Sequence, residues 1–249
     1  MKLSNTHMHD IISCTYDISN IINNNINNIK VTTKSDGSLV TNIDKIVEDY
    51  IIQFIQNIDN NPIIVAEESI ATKNYHSTIK DPFWLVDPID STHSFIKSQT
   101  GFCTNITYLE NNLPVFAIIY NPITKDLYYA IKGQGSFKIT NNSTHQIKVR
   151  TQDINNVIAV CSHKSAISDA IKQEYNIKEI MYISSALKIC HIAEGKADLY
   201  IKPQAYDWDL ASGDLIVQEA GGSVTFNDPT YKYGVAPYLC NGIIFKSKI

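Results

Sequence analysis

The stretch WLVDPIDST, Trp84 to Thr92, constrains the fold more than any other segment of the chain. An unbroken apolar run of this kind reads as a strand buried on both faces. It ends in Asp87 and Asp90, with Pro88 and Ile89 between them and two hydroxyls after. Two carboxylates at the end of a buried strand repel each other unless something positive sits between them. Pro88 has no N–H to donate and fixes the turn, so that the Ile89 carbonyl can also point inward as a neutral ligand. The DST segment then predicts a helix start that Asp90 can cap, with backbone N–H groups at Ser91 and Thr92 forming an anion cradle.

Around this segment the spacing predicts two kinds of architecture. Ile11, Ile18, Ile22, Ile26 and Ile29 predict an amphipathic helix over residues 10–29. Ile43, Val47, Tyr50, Ile51 and Phe54 predict a second helix from about Asp44, after a polar turn at Ser35–Ser38. Short strands follow at 62–69 and before Asp87, then successive antiparallel strands joined by Asn-Asn, Asn-Pro and Gly-rich turns. From about residue 155 strands and helices alternate, with a last helix stopped by Gly221–Gly222. The first part is therefore expected to be α+β with an antiparallel sheet and the last hundred or so residues α/β. The polar segment TNNSTHQ (140–146) is the softest candidate boundary.

Composition removes several classes of function. With 249 residues, 44% of them hydrophobic, the chain can bury a sizeable core. A net charge of -4 gives no basic field for a nucleic-acid polymer or a membrane surface. Cys14, Cys103, Cys161, Cys190 and Cys240 are far apart and odd in number, which argues against a disulfide framework or structural zinc and fits a reducing cytoplasm. MKLSNTHMHD has no signal-peptide pattern, and no apolar run approaches the roughly 20 residues of a membrane span.

Two more acidic clusters stand at element ends: Glu67–Glu68 after a strand, and Asp207 with Asp209 before a helix. If the three ends converge, their charge calls for hard cations such as Mg2+, which also recruits substrate phosphate. Each motif has a plain reading by itself. Paired glutamates are commonly a solvated face, DWD is commonly simple capping, and DST lacks the glycine and second copy of an aspartic-protease loop. The three together, in this order, predict a two-metal phosphate site.

These segments resemble the Mg2+-dependent, lithium-sensitive phosphatase superfamily that includes inositol monophosphatases. The matching stretches are AEES (66–69), WLVDPIDST (84–92) and WDLASGDLIVQEAGG (208–222), and the likeness covers nearly the whole chain. The resemblance implies a layered αβαβα sugar-phosphatase-like fold, a single domain over 1–249 with subdomains of about 1–150 and 151–249. It implies a first Mg2+ on Glu67, Asp87 and the Ile89 carbonyl, and a second on Asp87, Asp90 and Asp209. Thr92 and Glu67 would orient the attacking water. Asp44 would assist that proton transfer or help hold a third, weaker ion, and Glu68 would serve structure or that ion. A metal-activated water would attack phosphorus in line, without a phosphoenzyme, since no cysteine or histidine falls in the motifs. His93 reads as a surface or capping side chain. The family usually has glycine where this chain has Ser91, whose side chain crowds the phosphate and bears on rate or preference.

The chain resembles in particular the bacterial 3'(2'),5'-bisphosphate nucleotidases, through KSDGSLVTNID (34–44) and SSALKICHIAEGKADLY (184–200). Ser184, Ser185 and Lys188 would then cluster on the first turn of a helix and bind a second phosphate. Asp90, Ser91, Thr92 and Asp209 would face the reacting one. Without the resemblance, Lys188 reads as a solvated helix lysine. CSHKS lacks the arginine this branch often has, so His163 or Lys164 would substitute. The implied reaction converts adenosine 3',5'-bisphosphate to AMP and phosphate, clearing a by-product of sulfate activation. The alternatives are an inositol-1-monophosphatase or related sugar-phosphate phosphatase, and a non-catalytic binder of phosphorylated ligands. The partner expected is a small phosphate ester; homodimers are common among such relatives, though the sequence marks no interface.

Overall fold

The computed structural model describes residues 5–70, 79 and 81–248; the first four residues of the N-terminal stretch read above for a signal lie outside them. The isoleucine spacing produces α1 (Asn5–Asn25), which buries Ile11, Ile18 and Ile22. Ile26 and Ile29 fall beyond its end, in and after a single 3-10 turn. The helix stops early because Asn25 turns its side-chain amide back onto the Ile21 carbonyl at 2.8 Å, a local bond that competes with further helix. An antiparallel hairpin follows, β1 (Val31–Thr33) and β2 (Leu39–Thr41), with Lys34 and the polar turn at its tip. Next comes α2 (Asn42–Ile58), opened by a capping box in which Thr41 accepts from Ile43 and Asp44 N–H while the Asp44 carboxylate takes the Thr41 N–H. That box fixes Asp44 in the interior.

The larger sheet runs in chain order through β3 (Ile64–Ala66), β4 (Phe83–Asp90), β5 (Cys103–Glu110), β6 (Leu113–Tyr120), β7 (Leu127–Ile131), β8 (Gly135–Thr140) and β9 (Ser143–Ile147). β3 and β4 are parallel and the other neighbours antiparallel. A short helix, α3 (Thr92–Ser98), leaves β4. The segment expected as a boundary loop at 140–146 is instead a tight turn at Asn141–Asn142 followed by β9, paired to β8. It is polar because Ser143 to Gln146 are exposed on an edge strand, a pattern that resembles a loop in sequence.

The second sheet has the order β11-β10-β12-β16-β14. Its strands are β10 (Val157–Cys161), β11 (Ile177–Tyr182), β12 (Leu199–Lys202), β14 (Ser223–Phe226) and β16 (Ile243–Lys246), with a separate pair β13 (Ala205–Tyr206) and β15 (Leu239–Cys240). The helices here are α4 (Asp169–Glu174), α5 (Leu187–Ala193) and α6 (Asp207–Glu219). α1 and α2 cover one face of the larger sheet, α5 and α6 fill the space between the sheets, and α4 packs outside the smaller one. The result is the expected αβαβα layering.

Strand alternation now explains the apolar run before the aspartates. Trp84 and Val86 point into the core under α1 and α2, while Phe83 and Leu85 point into the core around α6. Parity puts Asp87 on the α6 side, where its neighbour in β5, Asn105, reaches the Trp208 carbonyl. Pro88 then breaks the ladder, and the register shifts between Asp87 and Asp90.

α5 and α6 approach closely at Gly213, where an added Cβ would lie 2.5 Å from Ile189 Cδ1 and 2.7 Å from its Cγ2. Gly213→Ala is therefore expected to cost about 1–3 kcal/mol through overpacking, read as a lower urea midpoint with unchanged slope.

Candidate active site

Three separate elements deliver the acidic groups. Glu67 follows β3, Asp87 and Asp90 end β4, and Asp209 sits in the first turn of α6. Asp87, Asp90 and Asp209 each place a carboxylate oxygen within 4.8 Å of the others. Glu67 hydrogen-bonds Asp87. Burial and then the charge of Glu67, Asp90 and Asp209 push Asp87 well above the usual carboxylate range. Asp209 is pushed up to about 7, by burial first and Asp90 second. Glu67 is raised by burial, against the pull of Lys34. Among the described residues, Asp87 Oδ1 is buried with no hydrogen-bond partner. An orphaned carboxylate oxygen in a cluster of hard oxygen donors fits a divalent cation.

Thr92 Oγ1 donates to Asp44 Oδ1 at 3.0 Å and lies 3.2 Å from the Ile89 carbonyl. Asp44 also accepts from the Thr41 hydroxyl and N–H, so its buried carboxylate is held on several sides. With its proton committed to Asp44, the Thr92 oxygen retains lone pairs that can accept from a water. Glu67, Asp87, Asp90, Thr92 and Asp209 line one cavity of about 520 Å³, open enough for a phosphate ester.

Several expectations need correction. Asp90 does not cap α3: that helix starts at Thr92 behind Ser91, which is left-handed at φ 76°, and Asp90 Oδ2 accepts the Ala186 N–H instead. Ser184 and Ser185 do not belong to a helical turn. α5 begins at Leu187, because Ser185 is left-handed at φ 57°, and only Lys188 is helical. Ser184 packs near Gly101. Asp207 is drawn away from the cluster by the Tyr231 hydroxyl and the Gly234 N–H. Glu68 is paired with Lys34 and takes no place in the three-aspartate group.

Lys34 went unnoticed in the sequence. From the tip of the β1–β2 hairpin its Nζ reaches Glu67 Oε1 and Glu68 Oε1, each at 2.8 Å. Burial acts to lower its pKa, but the two glutamates outweigh that and hold the ammonium charged. Lys202 also went unnoticed. It lines a second, small cavity of about 60 Å³ with Lys188, Ser162 and Tyr200, and this cavity shares Asp90, Ser91 and Asp209 with the first. Lys188 is buried, donates to Ser162 Oγ at 3.0 Å and lies 5.3 Å above the Tyr200 ring. Burial first, with Lys202 adding to it, lowers its pKa to about 8. His163 and Lys164 are exposed, and neither lines this cavity. The only sequence signal for Lys202 was its place at a strand end shortly before Asp209.

Residues 7–244 match the model of the inositol monophosphatase family. The chain belongs to the inositol monophosphatase family. Within the family it is 29% identical over 232 residues to the Nus factor SuhB of Pasteurella multocida, covering 85% of this chain and 80% of that one. It is 32% identical over 193 residues to the 3'(2'),5'-bisphosphate nucleotidase CysQ of Salmonella typhimurium, covering 77% of each. A solved IMPase/NADP phosphatase complexed with Mg2+ and phosphate shares the fold, with a TM-score of 0.78, 24% identity and coverage of 95% of this chain and 88% of that one. That solved structure thus shares the layered fold.

The acidic cluster sets the pH response of the metal-free protein. Unfolded carboxyls lose their protons near 4, whereas folded Asp209 and Glu68 keep theirs to about 7. The folded state binds more protons across that interval, so stability falls as pH rises from about 4 through 7. Melting in a chelator should show this decline, and Mg2+ at pH 7.5 should reverse it; a flat profile would mean the carboxyls are already balanced without a cation.

Proposed function

We propose that this family member is a Mg2+-dependent phosphoric monoester hydrolase that removes the 3'-phosphate of adenosine 3',5'-bisphosphate, giving AMP and phosphate. The observation that carries the reading is the pair Lys188 and Lys202, in a cavity that adjoins the acidic one through Asp90, Ser91 and Asp209. One cavity suits a phosphate held by cations, and the other suits a second phosphate held by ammonium groups. The match to CysQ supports the same substrate. Five buried free thiols suit the reducing cytoplasm in which such a nucleotide is cleared.

Glu67, Asp87, Asp90, Asp209 and the Ile89 carbonyl would hold two Mg2+ ions. Bound there, the ions supply charge neutralisation at the phosphoryl oxygens and a lowered pKa for bound water. The chain's own residues do the positioning. Thr92 Oγ1 accepts from the attacking water because Asp44 holds its proton. Glu67, which lines the acidic cavity and not the lysine one, receives the water's proton. Attack in line with the departing 3'-oxygen forms the new P–O bond as the ester P–O bond breaks, and that oxygen takes a proton from solvent water to leave as the 3'-hydroxyl of AMP. Lys188 and Lys202 fix the far phosphate and so hold the ester in register. An inositol-1-monophosphatase would use the same acidic cluster but would leave the two lysines without an anion to bind.

Asp87→Asn should abolish Mg2+-dependent phosphate release while the melting curve stays that of a folded protein; substantial residual turnover would remove Asp87 from the metal site. Adenosine 3',5'-bisphosphate should be hydrolysed in preference to inositol 1-phosphate. Lys188→Ala and Lys202→Ala should each raise KM for the bisphosphate about tenfold or more, with a far smaller effect on a monophosphate. Equal effects on both substrates would sink the second-phosphate reading.

A further inference from the structure

Among the described residues, Ser91 stands where the two cavities meet, lining both of them along with Asp90 and Asp209. Unlike those two, it is not an acid. Its backbone is left-handed at φ 76°, a region disfavoured for any residue with a Cβ and open to glycine without penalty. The side chain placed there is engaged: Ser91 Oγ accepts the Ser185 N–H at 3.0 Å. Ser185 is itself left-handed at φ 57°. The neighbouring bond, from the Ala186 N–H to Asp90 Oδ2, runs in parallel with it. Two consecutive residues at the end of β4 are thus bonded to two consecutive residues just ahead of α5. Ser185 Oγ in turn accepts the Leu187 N–H at 3.3 Å, so the joint continues into the helix that carries Lys188.

The consequence is geometric. Asp87 and Thr92 belong to the cavity where the reacting phosphate would lie, and Lys188 belongs to the other. The Ser91–Ser185 bond fixes the span between them. A substrate anchored at both ends gains from a fixed span, because its second group then binds without ordering the protein. A substrate anchored at one end gains nothing from it. We infer that Ser91 is a positioning residue whose hydroxyl ties the acidic cavity to the lysine cavity, and so favours phosphate esters that carry a second anionic group. This rests on the two-phosphate reading above. It adds the residue that sets the distance between the phosphates.

The test compares adenosine 3',5'-bisphosphate with adenosine 3'-monophosphate, which differ only in the 5'-phosphate. Steady-state kcat and KM are measured with Mg2+ for the wild-type chain, Ser91→Ala and Ser91→Gly, each checked by thermal melting. Both variants lack the hydroxyl, and the glycine variant also relieves the left-handed backbone. The ratio of kcat/KM for bisphosphate over monophosphate should fall about five- to tenfold in both variants, chiefly through KM for the bisphosphate. A merely structural role would lower both substrates in parallel, and that result overturns the inference. So does a ratio that falls in the glycine variant alone, since the backbone and not the hydroxyl would then be responsible. A wild-type preference for the bisphosphate that survives Ser91→Ala overturns the role of Ser91 and leaves the functional reading standing. A wild-type enzyme with no such preference overturns both.

Discussion

Four carboxyl groups from three separate parts of the chain stand near one another, Asp87 buried and the others partly so, and they repel one another. Asp87 faces α6 by strand parity, Asp209 faces back from the first turn of that helix, and Asp90 completes the group, with Glu67 beside Asp87. Much of the surrounding structure can be read as a response to that repulsion. Glu67 hydrogen-bonds Asp87, and Lys34 supplies an ammonium from the hairpin. Asp90 takes the Ala186 N–H, and Asp209 takes the Tyr206 N–H. Lys202 lowers the pKa of Asp209 from the other side. Among the described residues, Asp87 Oδ1 is the buried oxygen of this group left without a partner. The layers hold these elements in place, and in the proposed reading the repulsion is what cations would relieve.

The acidic groups were legible in the sequence because each sits inside one short motif whose residue types carry the chemistry. The apolar run before Asp87 was legible for the same reason: a strand buried on both faces leaves no polar position until the core ends. What escaped was set by distant parts of the chain. Lys34 and Lys202 look like ordinary lysines until the fold brings one to Glu67 and the other beside Lys188. The turn at Ser185 escaped because serine gives no local sign of a left-handed backbone. β9 read as a loop since an exposed edge strand has no apolar face. β14 and β16 were not anticipated because each is only four residues long.

Lys188 illustrates what it costs to bury a charge. An ammonium buried beside Tyr200 and near Lys202 is poorly solvated, and its low pKa records that cost. A hydrophobic residue of similar length would suit the same space better. Under the proposed function the lysine is a group whose balance arrives with an anion. In that reading the carboxyl cluster is the mirror case, balanced by arriving cations. The two cavities therefore lack opposite charges, and they share a wall.

The hairpin at the rim of this site is fastened in an unusual way. Every residue of β1 is exposed, so that strand is held through its pairing to β2 and through the ion pairs of Lys34 to Glu67 and Glu68 at the edge of the cluster. Fastening by charge depends on ionic strength in a way that packing does not. At high salt the sheets and helices should keep their structure while the hairpin loosens first, leaving the mouth of the acidic cavity more open to solvent. The access route would then be governed by the surrounding electrolyte, and the chemistry inside by the ions it admits.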